Sequence, residues 1–439
     1  MKFTKFIIVI AMLLFATAAF AQGNNVRNIY FDTLNPIGGV VATPIGVDEM
    51  VYVGSQYITH DDTVLMNYVT RIVQEDIDFH ADFDLIRVDS FYMKMYEIKE
   101  LDILSWRRLG ADLLVKLEAE FLGGNMKVRW RLFDAVKQQR ITSSSIEHSK
   151  RDWRVLAHMI ANEIVHYLTG DRGIFLTKIC YIKKIGEAKE ICVADYDGAS
   201  EIQLTNTGTI NLSPFFHPNG EDIYFTSYME GDPKLFKVNI RNKKITKVAD
   251  YTGIVAAPAI SPDSNKIACV LSKDGNSEIY VLGLDGKVIK RLTNNRAIDS
   301  APTWSPDSRM IAFSSDRSGS PQVYLMDSDG LNVRRLTFQS SYNDSPIWSA
   351  RGDRITFVSR TKYGRFDLAS IDTSGVEYRI YTELGQNENP HFSPDGKHII
   401  FASTRLGPSD IYTMDITGRN QRRLTRSGNC SNPDWGPYR

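Results

Sequence analysis

A short motif that returns at almost constant spacing constrains this chain more than anything else in it. A Pro-x-Trp/Phe anchor, often followed by Ser-Pro-Asp-Gly/Ser, recurs at Pro214, Pro258, Pro302, Pro346, Pro390 and Pro433, with separations of 44, 44, 44, 44 and 43 residues. The fullest copies are Ala301-Pro302-Thr303-Trp304-Ser305-Pro306-Asp307-Ser308 and Asn389-Pro390-His391-Phe392-Ser393-Pro394-Asp395-Gly396. A period of this length suits either helical solenoids or propeller blades. The residues between anchors decide for the second. Each anchor is followed by a β-forming run (Ile223-Tyr224-Phe225, Ile311-Ala312-Phe313, Ile399-Ile400-Phe401), then a second such as Gln322-Val323-Tyr324-Leu325, a glycine turn such as Asp329-Gly330, and a third such as Arg335-Leu336-Thr337. Asp-Gly between β runs signals tight hairpins, and four short strands per repeat make a blade.

The phase of the repeat predicts how the ring closes. Ile179–Ile182, Glu190–Val193 and Ile202–Thr205 read as the later strands of a blade that lacks an anchor, whereas the chain ends on an anchor without later strands. Six bodies and six anchors, offset by one, predict a six-bladed propeller whose first blade is completed by a strand around Asn432–Gly436. Closure of this kind leaves no open sheet edges.

Residues 22–170 lack the repeat. Asp62 is placed to cap a helix over Thr63–Asp76, Phe83–Val88 reads as a strand, and Glu100–Leu109 as a short helix. Leu113–Phe121 and Met126–Phe133 flank Gly123-Gly124-Asn125 as a hairpin, and Asp152–Leu168 reads as a helix stopped by Gly170. The fold class is therefore two-domain: an N-terminal α/β domain followed by an all-β six-bladed propeller closed by the C-terminal strand. Residues 1–21 carry Lys2 and Lys5, an apolar run and Ala19-Phe20-Ala21, the pattern of a secretory signal peptide cleaved after Ala21. The expected divisions are 1–21 signal peptide, 22–33 extended segment, 34–170 α/β domain and 171–439 propeller.

Chemistry is sparse. Lys+Arg and Asp+Glu both number 52, so no basic footprint points to nucleic acid. The four cysteines form no C-x-x-C pair, and neither a G-x-S-x-G elbow nor a glycine-rich phosphate loop occurs. His158, Glu163 and His166 share one helix without H-E-x-x-H spacing, and the histidines His217, His391 and His398 do not converge in the repeat's phase. Neither a metal nor another cofactor is expected. Asp263, Asp307 and Asp395 fall in the turn after each anchor and read as turn chemistry. Cys180 and Cys192 are equidistant from Gly186 and become cross-strand neighbours if the hairpin centres there. Pairing in an oxidising compartment and two ordinary strand cysteines are both open readings.

In such a blade the tight turns alternate with longer loops, so the loops and inter-blade crossings gather on one face of the ring. That face is expected to bind, through Asn211, Ile254, Val255, Asp299, Ser300, Asn343, Asp344, Asn387, Glu388, Asn429 and Ser431.

Together these residues resemble a known family. Signal peptide, α/β domain, six-fold Ser-Pro-Asp-Gly propeller and a Pro-x-Trp-x-Pro ending look like the TolB family, as do Val26-Arg27, Ile29-Tyr30-Phe31-Asp32, Pro44-Ile45-Gly46-Val47, Leu168-Thr169-Gly170 and Ala194-Asp195-Tyr196-Asp197-Gly198. The resemblance implies a periplasmic, non-enzymatic adaptor of the Tol–Pal system, monomeric and without direct membrane insertion. It implies that the propeller binds the Pal lipoprotein and the mature N-terminus binds TolA, maintaining outer-membrane integrity and invagination during division. The TolA segment would include Val26, Arg27, Ile29, Tyr30, Phe31 and Asp32, an extended stretch suited to strand addition. Pal would meet the crossing face. The competing readings are an extracytoplasmic propeller enzyme, lyase or peptidase-like, and a glycan-binding propeller.

Overall fold

The computed structural model describes residues 42–88, 102–361 and 364–438. The expected signal peptide and N-terminal segment, including Val26–Asp32, lie outside the described residues.

The first unit is a mixed sheet backed by helices. β1 (Thr43–Val47) and β2 (Val51–Tyr52) precede α1 (His60–Phe79) and β3 (Phe83–Ile86). α2 (Ile103–Arg108), β4 (Leu113–Leu122), β5 (Asn125–Asp134), β6 (Gln139–Ser149) and α3 (Trp153–Thr169) follow. The strand order is β3-β1-β4-β5-β6, with β1 parallel to both β3 and β4 and the last three antiparallel; β2 also pairs with β4. α1 starts one turn earlier than the sequence suggested. Thr59 is its cap, and Asp62 is the third residue of a reciprocal capping box. α3 ends at Gly170, which adopts φ 78°, a left-handed cap that a side chain disfavours. α1 buries Val69, Ile72, Val73 and Ile77 against α3 and the sheet, each worth about 1.5–3 kcal/mol relative to exposure.

Six four-stranded sheets form the second unit. In blades 2 to 6 the chain runs outward from an anchor strand, beginning at Asn211, Val255, Asp299, Asn343 and Asn387 respectively. Blade 1 consists of Lys178–Ile185, Ala188–Asp195 and Ile202–Gln203, with Cys430–Trp435 supplying its anchor strand antiparallel to Lys178–Ile185. The ring thus closes as the repeat's phase predicted. Asp434 secures the joint: its carboxylate accepts from Phe216 N at 2.6 Å and meets His391 Nδ1 at 2.7 Å, tying the closing strand to blades 2 and 6.

The hairpin of blade 1 corrects the cysteine geometry. Its turn is the two-residue Gly186-Glu187, so Cys180 lies opposite Val193 and Cys192 opposite Tyr181. Adjacent rungs face opposite sides of a sheet. Cys180 accordingly packs with Ile182 and Ile191, and Cys192 with Tyr181 and Ala194 in a different cluster. All four cysteines are free and buried.

The two units share a packed joint at the tight-turn ends of blades 6 and 1. Phe79, at the end of α1, stacks on His398 with ring centroids 4.4 Å apart, and its carbonyl lies 2.9 Å from His398 Nε2. Arg422 Nη2 donates to Asp78 O and Oδ2, both at 2.7 Å. Lys397 bonds Asp82 and reaches Asp171 at 2.7 Å; burial pulls its ammonium down, but these carboxylates outweigh it and hold it above the ordinary value. Behind them Asp76, buried, meets His158 Nδ1 at 2.8 Å and accepts from Tyr196. Burial raises the Asp76 carboxyl. His158 is raised as well, since Asp76 outweighs the desolvation of the ring.

Candidate functional site

The anchor strands line the ring's axis, and all six carry the same irregularity. Ser213, Ala257, Ala301, Ser345, Asn389 and Asn432 each precede a proline and each have positive φ, between 46° and 53°. Residues before proline prefer extended backbone, and the left-handed region costs a non-glycine residue about 1–2 kcal/mol. The register shifts between the flanking pairs, for example between Ser300 and Thr303, so each site is a β-bulge. Six bulges and their prolines surround a channel cavity of about 110 Å³. Proline has no N–H to offer, so it blunts the inner strand edges that face the axis.

Where each anchor strand starts, the structure reverses part of the sequence reading. Asn211, Val255, Asp299, Asn343 and Asn387 are all 0% exposed. They brace the crossings from inside. Asp299 receives Arg317 Nη2 on both oxygens, at 3.0 and 2.9 Å, and Asn295 Nδ2 at 2.7 Å. Asn343 Nδ2 donates to Gln322 Oε1 at 2.9 Å, and Asn387 Nδ2 to Asp367 Oδ1 at 3.1 Å. Asn211 Nδ2 donates to Lys189 O and Thr207 Oγ1, both at 2.8 Å. A polar residue beside a loop read as solvated from sequence; here it is buried and bonded to neighbouring side chains and, at Asn211, also to backbone.

The other expected positions do reach the surface. Ile254, Glu388 and Asn429 are exposed, and Ser300, Asp344 and Ser431 are partly so. Tyr342 Oη donates to Asp344 Oδ2 at 2.9 Å, holding that carboxylate at the mouth. Sequence reasoning missed most of the apolar content of this face. Ile210 and Ile298 are 40% and 53% exposed, Phe338 and Leu384 both 67%, and Leu406 68%. Ile210, Ile254 and Ile298 each sit one residue before an anchor strand, 44 residues apart, so the repeat itself held the signal. Loop isoleucines thus recur at one position on three successive blades, each leaving a large part of its side chain for a partner to cover.

The remaining chemistry-bearing residues do not converge. Glu163 accepts from Trp130 Nε1 at 2.9 Å, and His166 Nδ1 lies 3.2 Å from Asp171 O, while His158 belongs to the inter-unit joint. Asp263 and Asp307 accept from Ser261 and Ser305 at 2.5 and 2.6 Å and from backbone N–H groups of their own turns. Asp395 is built alike but its side chain is buried; the His398 ring 3.9 Å away and the Ser393 hydroxyl bonded to it overcome desolvation and hold its carboxyl far below the usual range. Among the described residues no group of three or more His, Cys, Asp or Glu side chains is placed to hold a metal ion.

Two family models match the chain. The TolB beta propeller domain covers residues 165–439 and the TolB amino-terminal domain residues 37–141. A Tol-Pal system protein TolB of Rickettsia conorii is 43% identical over 392 residues, covering 85% of this chain and 88% of the relative. One from Rickettsia akari is 32% identical over 242 residues, spanning 54% of this chain and 53% of that protein. The crystal structure of TolB from Acinetobacter baumannii superposes with a TM-score of 0.77 at 25% identity, over 91% of this chain and 97% of the other.

Proposed function

Since the chain belongs to the TolB family of the Tol-Pal system, we propose that it is a periplasmic, non-enzymatic adaptor that offers its propeller's crossing face to Pal and its N-terminal segment to TolA. One observation carries the reading: the α/β unit is seated on the tight-turn ends of blades 6 and 1, while the opposite face keeps an exposed apolar rim. Ile210, Ile254 and Ile298 supply side chains that a partner can desolvate, and Asp344 and Glu388, on the next two blades round the ring, supply charge for orientation. Asn211, Val255, Asp299, Asn343 and Asn387 shape that face without touching the partner through their side chains. Val26, Arg27, Ile29, Tyr30, Phe31 and Asp32 remain the proposed TolA segment, and the protein acts as a monomer in maintaining the outer membrane during division. No described helix is long and apolar enough to cross a membrane.

Deleting residues 22–32 tests both halves of the proposal. Calorimetric titration of the truncated protein is expected to show Pal binding unchanged and TolA binding abolished. Retained TolA affinity refutes the N-terminal assignment, and lost Pal affinity refutes the separation of the two sites.

A further inference from the structure

Blade 5 breaks a cross-strand pair that the other late blades share. In blades 3, 4 and 6 a third-strand tyrosine lies directly opposite an outer-strand arginine: Tyr280 opposite Arg291, Tyr324 opposite Arg335, Tyr412 opposite Arg423. In blade 5 the same rung is Ala369 opposite Ile380. Two residues before this tyrosine stands a buried acceptor. Where it is an acid, in blades 3 and 6, the arginine neutralises it: Arg291 Nη2 reaches Glu278 at 3.2 Å, and Arg423 pairs with Asp410. These guanidinium groups also donate to the following threonine carbonyl, Arg291 Nε to Thr293 O at 2.8 Å and Arg423 Nε to Thr425 O at 2.9 Å.

Blade 5 keeps every acceptor of this arrangement but has Ile380 at the arginine's rung; its outer-strand Arg379 stands one residue earlier, opposite Ser370, and pairs with Glu377 at 3.6 Å. Asp367 occupies the acid's position at 1% exposure, its Oδ1 accepting from Thr382 Oγ1 at 3.0 Å. Thr382 matches Thr293, and Glu383 stands where Asn294 bonds Arg291 at 2.9 Å in blade 3. Tyr378 packs on the cluster containing Ala369 and Phe357, with its hydroxyl 3.0 Å from Ser359 Oγ, so a ring is still present beside the gap. A cavity of about 540 Å³, lined by Asp367, Tyr378, Ile380 and Glu383 among others, fills the place. Arg360 and Arg365 line it too, which makes an anion the competing occupant. Asp367 is the buried group at the centre, accepting from Thr382 and from Asn387 Nδ2 at 3.1 Å with Arg405 of blade 6 nearby, while Arg360 is exposed and Arg365 half-buried; a carboxylate at the centre favours a cationic donor over an anion.

We propose that this blade-5 pocket is a binding site for a guanidinium group, supplied by an arginine from outside the chain in place of the one the repeat omits. The planar fork would meet Asp367 and Glu383 and lie against the Tyr378 ring, combining a charge-assisted bond with a cation–π contact. The pocket lies at the outer rim of the crossing face, between Gln339 and Ser340 on one side and Arg360, Thr361 and Arg365 on the other, and its existence does not depend on which partner occupies that face.

The test titrates the mature chain with N-acetyl-arginine amide, its citrulline analogue and inorganic phosphate, following the Thr382 and Glu383 amides by NMR. Arginine amide is expected to saturate at millimolar concentration, with citrulline at least tenfold weaker and phosphate silent. Ile380→Arg restores the blade's own arginine; it is expected to melt above the parent and to bind arginine amide at least tenfold more weakly. Glu383→Gln, at an exposed position, is expected to weaken binding at least threefold. Equal binding of citrulline, phosphate binding in place of arginine, or undiminished binding by either variant would overturn the proposal.

Discussion

Neighbouring residues on the crossing of blade 4 should respond to substitution in opposite ways. Ile298 is 53% exposed and Asp299 is 0% exposed. Asp299→Ala removes the acceptor of two Arg317 bonds and one from Asn295. Breaking a buried pair from one side costs about 3–5 kcal/mol. Arg317 keeps 27% of its side chain in solvent, which places the cost at the lower end, about 3 kcal/mol, or a loss of roughly 6–12 °C in melting temperature for a unit of this size. Ile298→Ser touches no core contact, so its stability change should stay within about 0.5 kcal/mol. If Pal covers the exposed half of this side chain, on the order of 90 Å² leaves water, about 2 kcal/mol or roughly thirtyfold in affinity. Scanning fluorimetry and calorimetry on the same two variants separate the effects. An Ile298→Ser protein that melts early, or one that binds Pal at parental affinity, refutes the assignment of this rim. An Asp299→Ala protein that melts like the parent refutes the bracing role.

Further expectations follow from the interior. Burial depresses the His80 imidazole to about 4, so between pH 6.5 and 4 the unfolded chain binds the proton that the folded chain refuses. Stability from this group is therefore complete above pH 6.5 and falls by about 3 kcal/mol as pH drops toward 4; a His80→Gln variant should show a shallower decline over that window in melting temperature. Asp395 acts in the same direction at lower pH, its depressed carboxyl contributing above the ordinary carboxylate range and losing that contribution on acidification; Asp395→Asn should flatten the acid limb. Thiol titration of the unfolded mature protein without reductant should count four thiols, since Cys180 and Cys192 face opposite sides of their sheet; two would contradict the register. Replacing the cap Thr59 by alanine should cost about 1 kcal/mol through loss of the capping box.

The propeller was legible because a blade cannot hide its period: Pro302 and Pro390 each lead through an aromatic residue into Ser-Pro-Asp, and the orphan anchor at Pro433 required a partner at the start of the ring. Register was less so. Centring the first hairpin on Gly186 alone, instead of on the two-residue Gly186-Glu187 turn, moved every opposing pair by one residue and brought Cys192 falsely beside Cys180. β6 went unseen because its run Thr142-Ser143-Ser144-Ser145 is polar and offers no alternation, although its backbone pairs with β5 along nearly its whole length. The site divided along the same line. Asn343 and Asn387 looked like loop surface because nothing local distinguishes an asparagine that caps a loop from one that faces solvent; the difference lies in Gln322 and Asp367, about 20 residues earlier. Ile298 carries no local signal either, and only its recurrence with Ile210 and Ile254 marks a surface feature.

The joint between the units bears on why one face is free. Its bonds use groups that the tight-turn ends of blades 6 and 1 expose and blades 2 to 5 do not match: Lys397 stands where blade 4 has Arg309, exposed and turned to its own Asp307, and His398 stands where blade 4 has Met310. The sequence of the repeat is thus degenerate at the crossings, where Ile210, Ile254 and Ile298 are interchangeable, and particular at the turns of blade 6, where Phe79, His398 and Lys397 are not. A ring with sixfold pseudo-symmetry offers six equivalent seats for a second unit, and buried ion pairs serve better to choose among them than to add stability. Lys397→Met leaves the buried Asp82 carboxylate unpaired, so by the reasoning applied to Asp299 it should cost about 3 kcal/mol and also loosen the seat, seen as faster hydrogen exchange at Phe79–Asp82 and at the 393–398 turn with the crossing loops unaffected. Unaltered exchange at both would mean that Phe79 packing alone fixes the arrangement.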